Sequence, residues 1–284
     1  MPAMPIELAG KPIAITGASA GIGRATALAC ARAGMPVVVS ARREEPLREL
    51  VAQIEREGGK AAHLVVDVND PEACERMIAL CAEQFGSVYS VFANAGYGQE
   101  ALEHEMPDAE LRAMFETNFF GTMHTIRPAL ERMIPAGAGH VLICSSCLAR
   151  FPLPYFGVYS ATKAAQHHIG RSLRLEIEPT GVKVSTVHPV GTKTEFFDVA
   201  QRRSWDGAQS LSDHGPSWML QSPERVANAV LRGLRRPKPE IWTSPFVRYG
   251  MVFAGAFPRL ADLGVRKMVR EHEAKRSGVA KTRS

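Results

Sequence analysis

Tyr159 and Lys163 are four residues apart at the start of a predicted helix, so both side chains lie on one face of it. A phenol with its ordinary pKa of about 10 is a poor base at neutral pH, but a neighbouring lysine cation favours the phenolate and lowers that pKa. Such a tyrosine can exchange a proton with an alcohol or ketone oxygen. Ser146 lies thirteen residues upstream, at the end of a predicted strand, where the sites of α/β proteins are expected. Tyr and Lys also occur at this spacing by chance, so the pair gains its meaning from Ser146.

A glycine-rich turn follows the first predicted strand and opens a helix, with the sequence Thr16-Gly17-Ala18-Ser19-Ala20-Gly21-Ile22-Gly23. Glycines let the backbone turn tightly and approach a pyrophosphate, whose charge is stabilised by free N–H groups at the helix N-terminus. The pattern is T-G-x-x-x-G-x-G, which differs from the G-x-G-x-x-G of the general dinucleotide fingerprint. A turn between a strand and a helix favours glycine anyway, so the pattern alone leaves both interpretations open.

Two arginines, Arg42 and Arg43, follow the second predicted strand. Folds that bind NAD place an Asp or Glu near this point to bond the ribose 2′-hydroxyl, whereas an arginine accommodates the 2′-phosphate of NADP. A guanidinium and a phosphate form one of the stronger charge-assisted pairs. A solvated start of the next helix is the alternative interpretation. We predict NADP(H) as the cofactor in preference to NAD(H), with Arg42 as the phosphate partner.

The elements that position these residues are short apolar strands that alternate with helical patterns. Strands are predicted at residues 12–16, 36–40, 61–66, 88–93, 140–145, 182–188 and 240–243. Helices are predicted at residues 22–32, 46–57, 71–84, 108–133, 159–178 and 223–236. Most of the strands are apolar throughout, which is typical of a parallel sheet covered on both faces. Repeated βα units predict a single α/β domain over residues 1–245, with a doubly wound parallel sheet of the Rossmann type.

Six motifs in register make the chain resemble the short-chain dehydrogenase/reductase family over roughly residues 10–245. They are the turn at residues 16–23, Asp67-Val68 after the third strand, Asn94-Ala95-Gly96 after the fourth, Asn118 in the long helix, Ser146, and Tyr159-x-x-x-Lys163. The resemblance implies an NADP(H)-dependent oxidoreductase that moves a hydride between the nicotinamide and a carbonyl or secondary alcohol carbon. The alternative is a catalytically silent NADP(H)-binding protein with a regulatory or scaffolding role, because a fold does not guarantee a function.

The resemblance also implies roles for individual residues. Tyr159 is implied as the general acid in reduction and the base in oxidation, with Lys163 lowering its pKa and bonding the nicotinamide ribose. Ser146 and Tyr159 are implied to bond the substrate oxygen, Asn118 to help hold a water-mediated proton relay, and Asp67-Val68 to flank the adenine. The implied cofactor-binding residues are Gly17, Ser19, Ala20, Gly21, Ile22, Gly23, Arg42, Asp67, Val68, Asn94, Ala95, Gly96, Tyr159, Lys163, Thr192 and Thr194.

The chain departs from the family pattern at two places. The Pro-Gly that follows the sixth strand in the family is Pro189-Val190-Gly191 here, so the backbone beside the nicotinamide is expected to differ slightly. Thr192 and Thr194 remain available to meet the carboxamide. Ala20 occupies a position that is often basic in NADP-preferring members, which leaves Arg42 as the main phosphate partner.

The net charge of +5 lies entirely in residues 265–284, which hold seven basic and two acidic residues. The rest of the chain is neutral, so it lacks the positive stripe of a nucleic-acid-binding surface. Residues 246–284 are first apolar and then basic, a composition typical of an interfacial membrane contact. A solvated tail behind a helix that packs on the substrate pocket or a partner subunit is the alternative. No secretory leader and no apolar run of about 20 residues is visible, so we expect a cytoplasmic protein, either free or peripheral to a membrane.

An insert at residues 192–221 interrupts the alternation of strands and helices. Its large apolar residues are Phe196, Phe197, Trp205, Trp218 and Met219. We predict that they form a lid over an apolar pocket, with core packing as the alternative. The predicted substrate is therefore a hydrophobic small molecule such as a lipid, a steroid or a bulky ketone. The resemblance to the family implies a homodimer or a homotetramer, the usual oligomeric states of its members.

No metal site is predicted. Cys144-x-x-Cys147 straddles the candidate serine without a further Cys or His pair to complete a zinc site, so we expect packed, reduced thiols. His167 and His168 are adjacent on a helix and point to different sides. We interpret His188 as a residue that packs at the end of a strand.

Overall fold

Seven parallel strands form one sheet in this protein, of which a computed structural model describes residues 4–192 and 220–281. The strands are β1 (Ile13–Thr16), β2 (Val37–Ala41), β3 (Ala61–Val65), β4 (Ser90–Ala93), β5 (Gly139–Cys144), β6 (Val182–His188) and β7 (Glu240–Trp242). Their order across the sheet is β3-β2-β1-β4-β5-β6-β7. The predicted doubly wound sheet of the Rossmann type is confirmed.

Helices cover both faces of the sheet, because most of its strands are apolar on both sides. They are α1 (Gly21–Arg32), α2 (Glu44–Arg56), α3 (Pro71–Phe85), α4 (Asp108–Phe115), α5 (Gly121–Met133), α6 (Gly157–Glu176), α7 (Pro223–Arg235), α8 (Pro245–Ala256) and α9 (Pro258–Lys281). On one face, Leu50 and Val230 are fully buried between helices and sheet, and on the other face Met77 and Ile126 are. Full burial of such a side chain contributes about 1.5–3 kcal/mol.

The helix predicted over residues 108–133 is interrupted by a π turn at Glu116–Phe120, so this prediction was wrong at its centre. Gln166 Nε2 on α6 and Thr122 Oγ1 both donate to the carbonyl oxygen of Asn118, at 2.6 and 2.8 Å. Side-chain donors at a helical carbonyl compete with the regular backbone ladder and favour a bulged turn. Asn118 therefore lies where α6 can hold it.

The chain ends in two consecutive helices, α8 and α9. The Ser244 hydroxyl accepts from the N–H of Val247 at the start of α8, and Pro258 opens α9, where a proline costs no hydrogen bond. Across residues 4–192 and 220–281, none of the helices combines the length and the apolar character that crossing a bilayer requires.

Candidate active site

The candidate site lies at the carboxyl edge of the sheet, where all seven parallel strands end. The connections from β1 and β4 leave in opposite directions, which opens a crevice between these two strands. Thr16 ends β1, Ala93 ends β4 and Cys144 ends β5. The glycine-rich turn, residues 94–96 and Ser146 follow these strands and therefore meet at this edge.

The glycine-rich turn runs so close to neighbouring backbone that two of its positions leave no room for a side chain. Gly17 has a φ of +67°, and a Cβ there would lie 2.9 Å from the Cα of Ala95. A Cβ on Gly23 would lie 2.4 Å from the carbonyl oxygen of Gly17 and 2.8 Å from Asn94 Nδ2. Glycine is needed at both positions, because the turn lies flat against residues 94 and 95.

Asn94 and Thr16 tie β4 to the turn. Asn94 Nδ2 donates to the carbonyl oxygens of Thr16 and Gly17, at 3.0 and 3.3 Å. Thr16 Oγ1 accepts from the N–H groups of Asn94 and Ala95, at 3.0 and 3.1 Å. Asn94 and Ala95 thus form a wall of the crevice that the family resemblance assigns to the cofactor.

The N-terminus of α1 opens at this crevice without a side-chain cap. The residue at the N-cap is Ala20, whose side chain makes no capping bond, and the first turn holds no acidic residue. The first N–H groups of a helix lack partners within the helix and carry the positive end of its dipole. The close-packed turn and the uncapped helix therefore fit the pyrophosphate of a dinucleotide.

Arg43 reaches the glycine-rich turn, a contact that the sequence did not indicate. Its Nη2 donates to Ser19 Oγ at 3.1 Å. The N–H of Ala18 donates to the carbonyl oxygen of Ser40 at 3.0 Å, so the end of β2 adjoins the turn, and exposed Arg42 follows directly. The prediction of Arg42 as the main phosphate partner did not include this contact of Arg43 with the turn.

Asp67 and Val68 follow β3 in different environments. The Asp67 side chain is exposed and accepts from the N–H of Asn69 at 3.0 Å. Val68 is buried against Gly121, where a Cβ would lie 2.6 Å from Val68 Cγ2. Val68 therefore packs β3 onto α5, and the place of both residues beside the adenine stays a prediction.

Helix α6 brings Tyr159 and Lys163 to Ser146, and all three residues are at most 9% exposed. The Ser146 hydroxyl lies beside the Tyr159 phenol and acts on its pKa, and Ser146 Oγ accepts from the N–H of Leu148 at 3.1 Å. Lys163 Nζ donates to the carbonyl oxygen of Cys144 at 2.8 Å and lies 5.6 Å from the centroid of the Tyr159 ring. The three predicted residues thus form one buried cluster.

Burial decides the protonation of this cluster. It raises the pKa of Tyr159 above its ordinary value, and the hydrogen bond with Ser146 opposes this shift only in part. Burial also lowers the pKa of Lys163, against a smaller raising effect of Cys144. The expected lowering of the Tyr159 pKa by Lys163 is not found, because burial raises this pKa instead. Tyr159 therefore keeps its proton at neutral pH, which is the form that a general acid requires.

The side-chain amide of Asn118 is engaged on both of its polar atoms. Oδ1 accepts from the N–H of Tyr97 at 2.9 Å, and Nδ2 donates to the carbonyl oxygen of Tyr97 and to Thr162 Oγ1, at 2.9 and 3.0 Å. A Cβ on Gly96 would lie 2.9 Å from Asn118 Oδ1 and 3.4 Å from Lys163 Nζ. Asn118 thus holds residues 96 and 97 beside the lysine, and its implied part in a proton relay stays a prediction.

An apolar cluster that sequence reasoning missed packs around Tyr159. Its other buried members are Met106, Met114, Tyr155, Phe156 and Val158. Tyr155 has a φ of +69°, and such a backbone costs a bulky residue about 1–3 kcal/mol, which the packing must offset. The only sequence signal was the run of aromatic residues before Tyr159.

The predicted lid and carboxamide residues that lie outside the described residues are Phe196, Phe197, Trp205, Trp218, Met219 and Thr194.

The extra residue in Pro189-Val190-Gly191 has a packing role. Val190 is buried with Cys147 and with Val247 of α8, so the departure from Pro-Gly ties the C-terminal helices to the catalytic edge. Thr192 is also buried, and its hydroxyl donates to the carbonyl oxygen of Val190 at 2.8 Å.

The two cysteines beside Ser146 are free thiols in the protein interior. Burial raises the pKa of Cys144 and raises that of Cys147 to about 11. Such thiols stay protonated at neutral pH and are poor nucleophiles and metal ligands. In the parts of the chain that the structure describes, no group of three or more His, Cys, Asp or Glu side chains is placed to hold a metal ion.

Comparison with known families agrees with this geometry. The family model described as short chain dehydrogenase matches residues 11–205, more than half of the chain. The chain belongs to the short-chain dehydrogenase family. It is therefore an oxidoreductase with a nucleotide-binding Rossmann fold, and a nicotinamide cofactor is typical of its family.

Relatives of this short-chain dehydrogenase match most of its length. An uncharacterized oxidoreductase of Listeria monocytogenes is 31% identical over 237 residues, 82% of this chain and 94% of its own. A short-chain dehydrogenase/reductase from Burkholderia phymatum in complex with NAD superposes with a TM-score of 0.80 at 23% identity, over 90% of this chain and 96% of that one, and supports the fold alone. An alcohol dehydrogenase from the archaeon Thermococcus sibiricus, complexed with 5-hydroxy-NADP, superposes with a TM-score of 0.70 at 28% identity. The match covers 82% of this chain and 95% of that one.

Proposed function

We propose that this short-chain dehydrogenase is an NADP(H)-dependent oxidoreductase that transfers a hydride between the nicotinamide and a carbonyl or secondary alcohol carbon of a hydrophobic substrate. One observation carries the proposal. The buried Tyr159 phenol lies beside the Ser146 hydroxyl and Lys163, at the edge of the sheet where the uncapped α1 begins. Two hydroxyl groups at one point can both bond a carbonyl oxygen on which negative charge develops.

In ketone reduction, Tyr159 acts as the general acid. The nicotinamide, when bound, supplies a hydride with its electron pair to the carbonyl carbon. The phenol proton of Tyr159 passes to the carbonyl oxygen as the C–O π bond breaks, while Ser146 holds that oxygen. Lys163 stabilises the phenolate until a proton from water restores the phenol. In alcohol oxidation the phenolate accepts the hydroxyl proton.

The dinucleotide would be held by residues of the crevice. The turn at residues 17–23 and the start of α1 suit its pyrophosphate, and Arg42 and Arg43 suit a 2′-phosphate beside Ser19. A hydrogen bond to a charged group contributes about 1.5–3 kcal/mol, which favours NADP(H) over NAD(H) here. The structural relatives include one in complex with NAD and one with 5-hydroxy-NADP, so the proposed preference rests on the two arginines.

The apolar cluster around Tyr159 supports a hydrophobic substrate such as a lipid, a steroid or a bulky ketone. Tyr155, Phe156 and Met114 supply a wall beside the phenol that favours alkyl and ring groups. The free thiols support a reducing compartment, so the proposal places the enzyme in the cytoplasm. A homodimer or homotetramer is proposed from the habit of the family.

Purified protein is expected to consume NADPH when it is offered bulky apolar ketones and to be less active on small polar ones. Each added methylene that enters the pocket is expected to raise kcat/KM about fourfold, because burial of a CH2 contributes about 0.8 kcal/mol. The measurement is the loss of NADPH absorbance across a panel of carbonyl classes, repeated with NADH. Binding of NADPH without turnover of any class would contradict the proposal and favour the silent regulatory or scaffolding protein.

A further inference from the structure

A stripe of exposed apolar side chains runs along α8 and α9. This C-terminal apolar face consists of Phe246, Tyr249, Val252, Phe253, Phe257, Leu260 and Leu263, all between 51% and 74% exposed. Most neighbouring members are three or four residues apart, so they share one side of their helix. The rings of Phe253 and Phe257 lie 4.9 Å apart and continue the stripe across the junction. Exposed apolar side chains are normally scattered singly, so a stripe of this size indicates a contact surface.

The opposite side of α8 packs on the catalytic edge. Val247 is buried with Val190 and Cys147, the residue after Ser146. Helix α9 and Pro154 line a cleft of about 310 Å³ next to the segment that leads into α6. The inner side of α8 and α9 therefore faces the catalytic edge, as one of the two interpretations of residues 246–284 expected. The C-terminal apolar face is on the outer side of these helices.

The charge around the C-terminal apolar face distinguishes between occupants. Residues 245–270 hold five exposed basic side chains and one acidic one. Arg248, Arg259 and Lys267 lie outside the cleft, whereas Arg266, Arg270 and Asp262 line it on the inner side of α9. A two-fold contact with a second copy would set the same cationic patch on both subunits against itself. A lipid surface with anionic headgroups pairs with these cations instead, and each basic residue near such a surface raises the partition coefficient about fivefold.

We propose that the C-terminal apolar face docks on a bilayer that carries anionic headgroups, with α8 and α9 lying in the plane of the interface. The aromatic and aliphatic side chains enter the boundary between headgroups and acyl chains, and the basic residues bond the headgroups. Docking in this way brings the catalytic edge close to the lipid. Delivery of a hydrophobic substrate from the bilayer rests on the proposed function, whereas the docking does not.

Sedimentation of the full-length protein with vesicles tests the docking. We expect binding to vesicles of phosphatidylcholine and phosphatidylserine, weaker binding to phosphatidylcholine alone, and release by salt. The double variant L260S/L263S is expected to bind the anionic vesicles at least about tenfold more weakly, since two exposed leucines no longer enter the boundary. Leu175→Ser is the matched control, because Leu175 on α6 is 61% exposed, as is Leu263.

The outcomes separate docking from its alternatives. Equal sedimentation of the double variant and the wild-type protein overturns the proposal. A second pair of results also overturns it: the wild-type protein does not bind anionic vesicles, and L260S/L263S elutes from size-exclusion chromatography as a smaller oligomer than the wild-type protein. The apolar face would then be a contact between two copies of the chain. Turnover of a water-soluble ketone is expected to be unchanged in L260S/L263S, so a failure of the proposed function is recognised independently.

A second inference concerns His188, which is fully buried at the end of β6. Its Nδ1 lies 2.9 Å from the carbonyl oxygen of Ser146, and its Nε2 lies 2.9 Å from Thr186 Oγ1. The imidazole stacks on Trp242, with 4.5 Å between ring centroids and 10° between planes. Trp242 is held in turn, because its Nε1 donates to Glu240 at 2.8 Å.

These contacts define the tautomer of His188. A carbonyl oxygen can only accept, so Nδ1 must carry a hydrogen that it donates to Ser146. Burial lowers the pKa of His188, so the ring is neutral at pH 7 and its Nε2 accepts the hydroxyl proton of Thr186. The orientation of the ring and the position of its proton are therefore both determined by the fold.

We propose that His188 is a positioning residue, which holds the peptide of Ser146 and thereby aims the serine hydroxyl at the substrate oxygen. Ser146 stands at the start of the short helical turn Cys147–Arg150, where its carbonyl oxygen also accepts from the N–H of Ala149 at 3.1 Å. The N–H of the same peptide, that of Cys147, donates to the carbonyl oxygen of Pro189 at 3.0 Å, so His188 adds a third hydrogen bond to this peptide. The interpretation of His188 as a residue that packs at the end of a strand agrees with its burial and its stacking on Trp242, and the bond to Ser146 is an additional contact. The proposal rests on the proposed function, since it concerns the same serine.

Two amide variants test the position of the hydrogen. His188→Asn keeps an N–H near the place of Nδ1, whereas His188→Gln moves it toward the place of Nε2. We expect kcat of His188→Gln to be about tenfold below that of the wild-type protein, because one well-placed hydrogen bond is lost. We expect His188→Asn to keep most of the wild-type kcat, because it keeps that hydrogen bond. KM for NADPH is expected to stay unchanged in both. A role in packing alone predicts lower melting temperatures with equal kcat for the folded fractions.

Equal kcat values for the Asn and Gln variants overturn this second proposal. If His188→Gln does not fold, Thr186→Val removes the hydroxyl 2.9 Å from Nε2, together with its longer contacts to His167 Nδ1 and the Pro239 carbonyl oxygen, at 3.5 and 3.4 Å. A lower kcat at an unchanged melting temperature then supports the proposal, and an unchanged kcat overturns it. Wild-type turnover is measured first, so that the proposed function is tested separately.

Discussion

Phenylalanine in place of Tyr159 is expected to lower kcat for ketone reduction by about 10²–10⁴-fold, the usual contribution of a general acid. The variant loses the proton that passes to the substrate oxygen, while the ring keeps its edge contact with Phe156 at 6.4 Å between centroids. The fold is expected to lose only about 0.5–1.5 kcal/mol, the usual contribution of a hydrogen bond made by one hydroxyl group. Steady-state NADPH oxidation and a fluorescence titration of NADPH binding measure the two effects.

Tyr89→Phe is the matched control for this experiment. Tyr89 lies just before β4, at the amino edge of the sheet, with Lys11 Nζ 4.5 Å from its ring centroid. The same chemical change at the opposite edge is expected to leave kcat as in the wild-type protein. Turnover by Tyr159→Phe at the wild-type rate would refute the mechanism, and loss of NADPH binding would move Tyr159 from catalysis to cofactor binding.

Aspartate in place of Arg42 or Arg43 is expected to shift cofactor preference from NADPH toward NADH. Each variant loses a charged contact that contributes about 1.5–3 kcal/mol, so kcat/KM for NADPH is expected to fall about 10–150-fold. The new carboxylate repels a 2′-phosphate and can accept a hydrogen bond from a 2′-hydroxyl. We therefore expect kcat/KM for NADH to stay the same or to rise. Arg43→Asp also removes the bond to Ser19, and the double variant is expected to shift furthest.

Arg56→Asp makes the same change of charge in the last turn of α2, away from the glycine-rich turn, and controls for long-range electrostatics. We expect it to keep the wild-type ratio of kcat/KM values for the two cofactors. An unchanged ratio in both Arg42→Asp and Arg43→Asp would contradict the NADP(H) assignment.

Local signals made the elements predictable. Ser222-Pro223-Glu224 predicts the start of a helix, and α7 begins at Pro223 with the Ser222 hydroxyl accepting from the N–H of Arg225. The run at residues 182–188, which is rich in β-branched residues, is β6, with the bounds predicted. Such signals lie within a few residues of the element that they specify, so they could be recognised without the fold.

The candidate catalytic cluster could also be predicted, for a geometric reason. In a parallel sheet all carboxyl ends lie at one edge, so motifs that follow β1, β4 and β5 must meet there. The helical spacing of Tyr159 and Lys163 then puts both side chains on the face that Ser146 meets. The sequence by itself therefore determined the fold, the family and the identity of the candidate catalytic residues.

Only the tertiary structure decided how these residues are held. Gln166 bonds the carbonyl oxygen of Asn118 in the π turn, and His188 bonds that of Ser146, pairs that are 48 and 42 residues apart. The contact of Arg43 with Ser19, the high pKa of Tyr159 and the exposure of the C-terminal apolar face likewise follow from packing between distant segments. A local sequence pattern shows which side chains a segment carries. The contacts between these side chains, and the ones that remain exposed, depend on how distant segments pack in the folded chain.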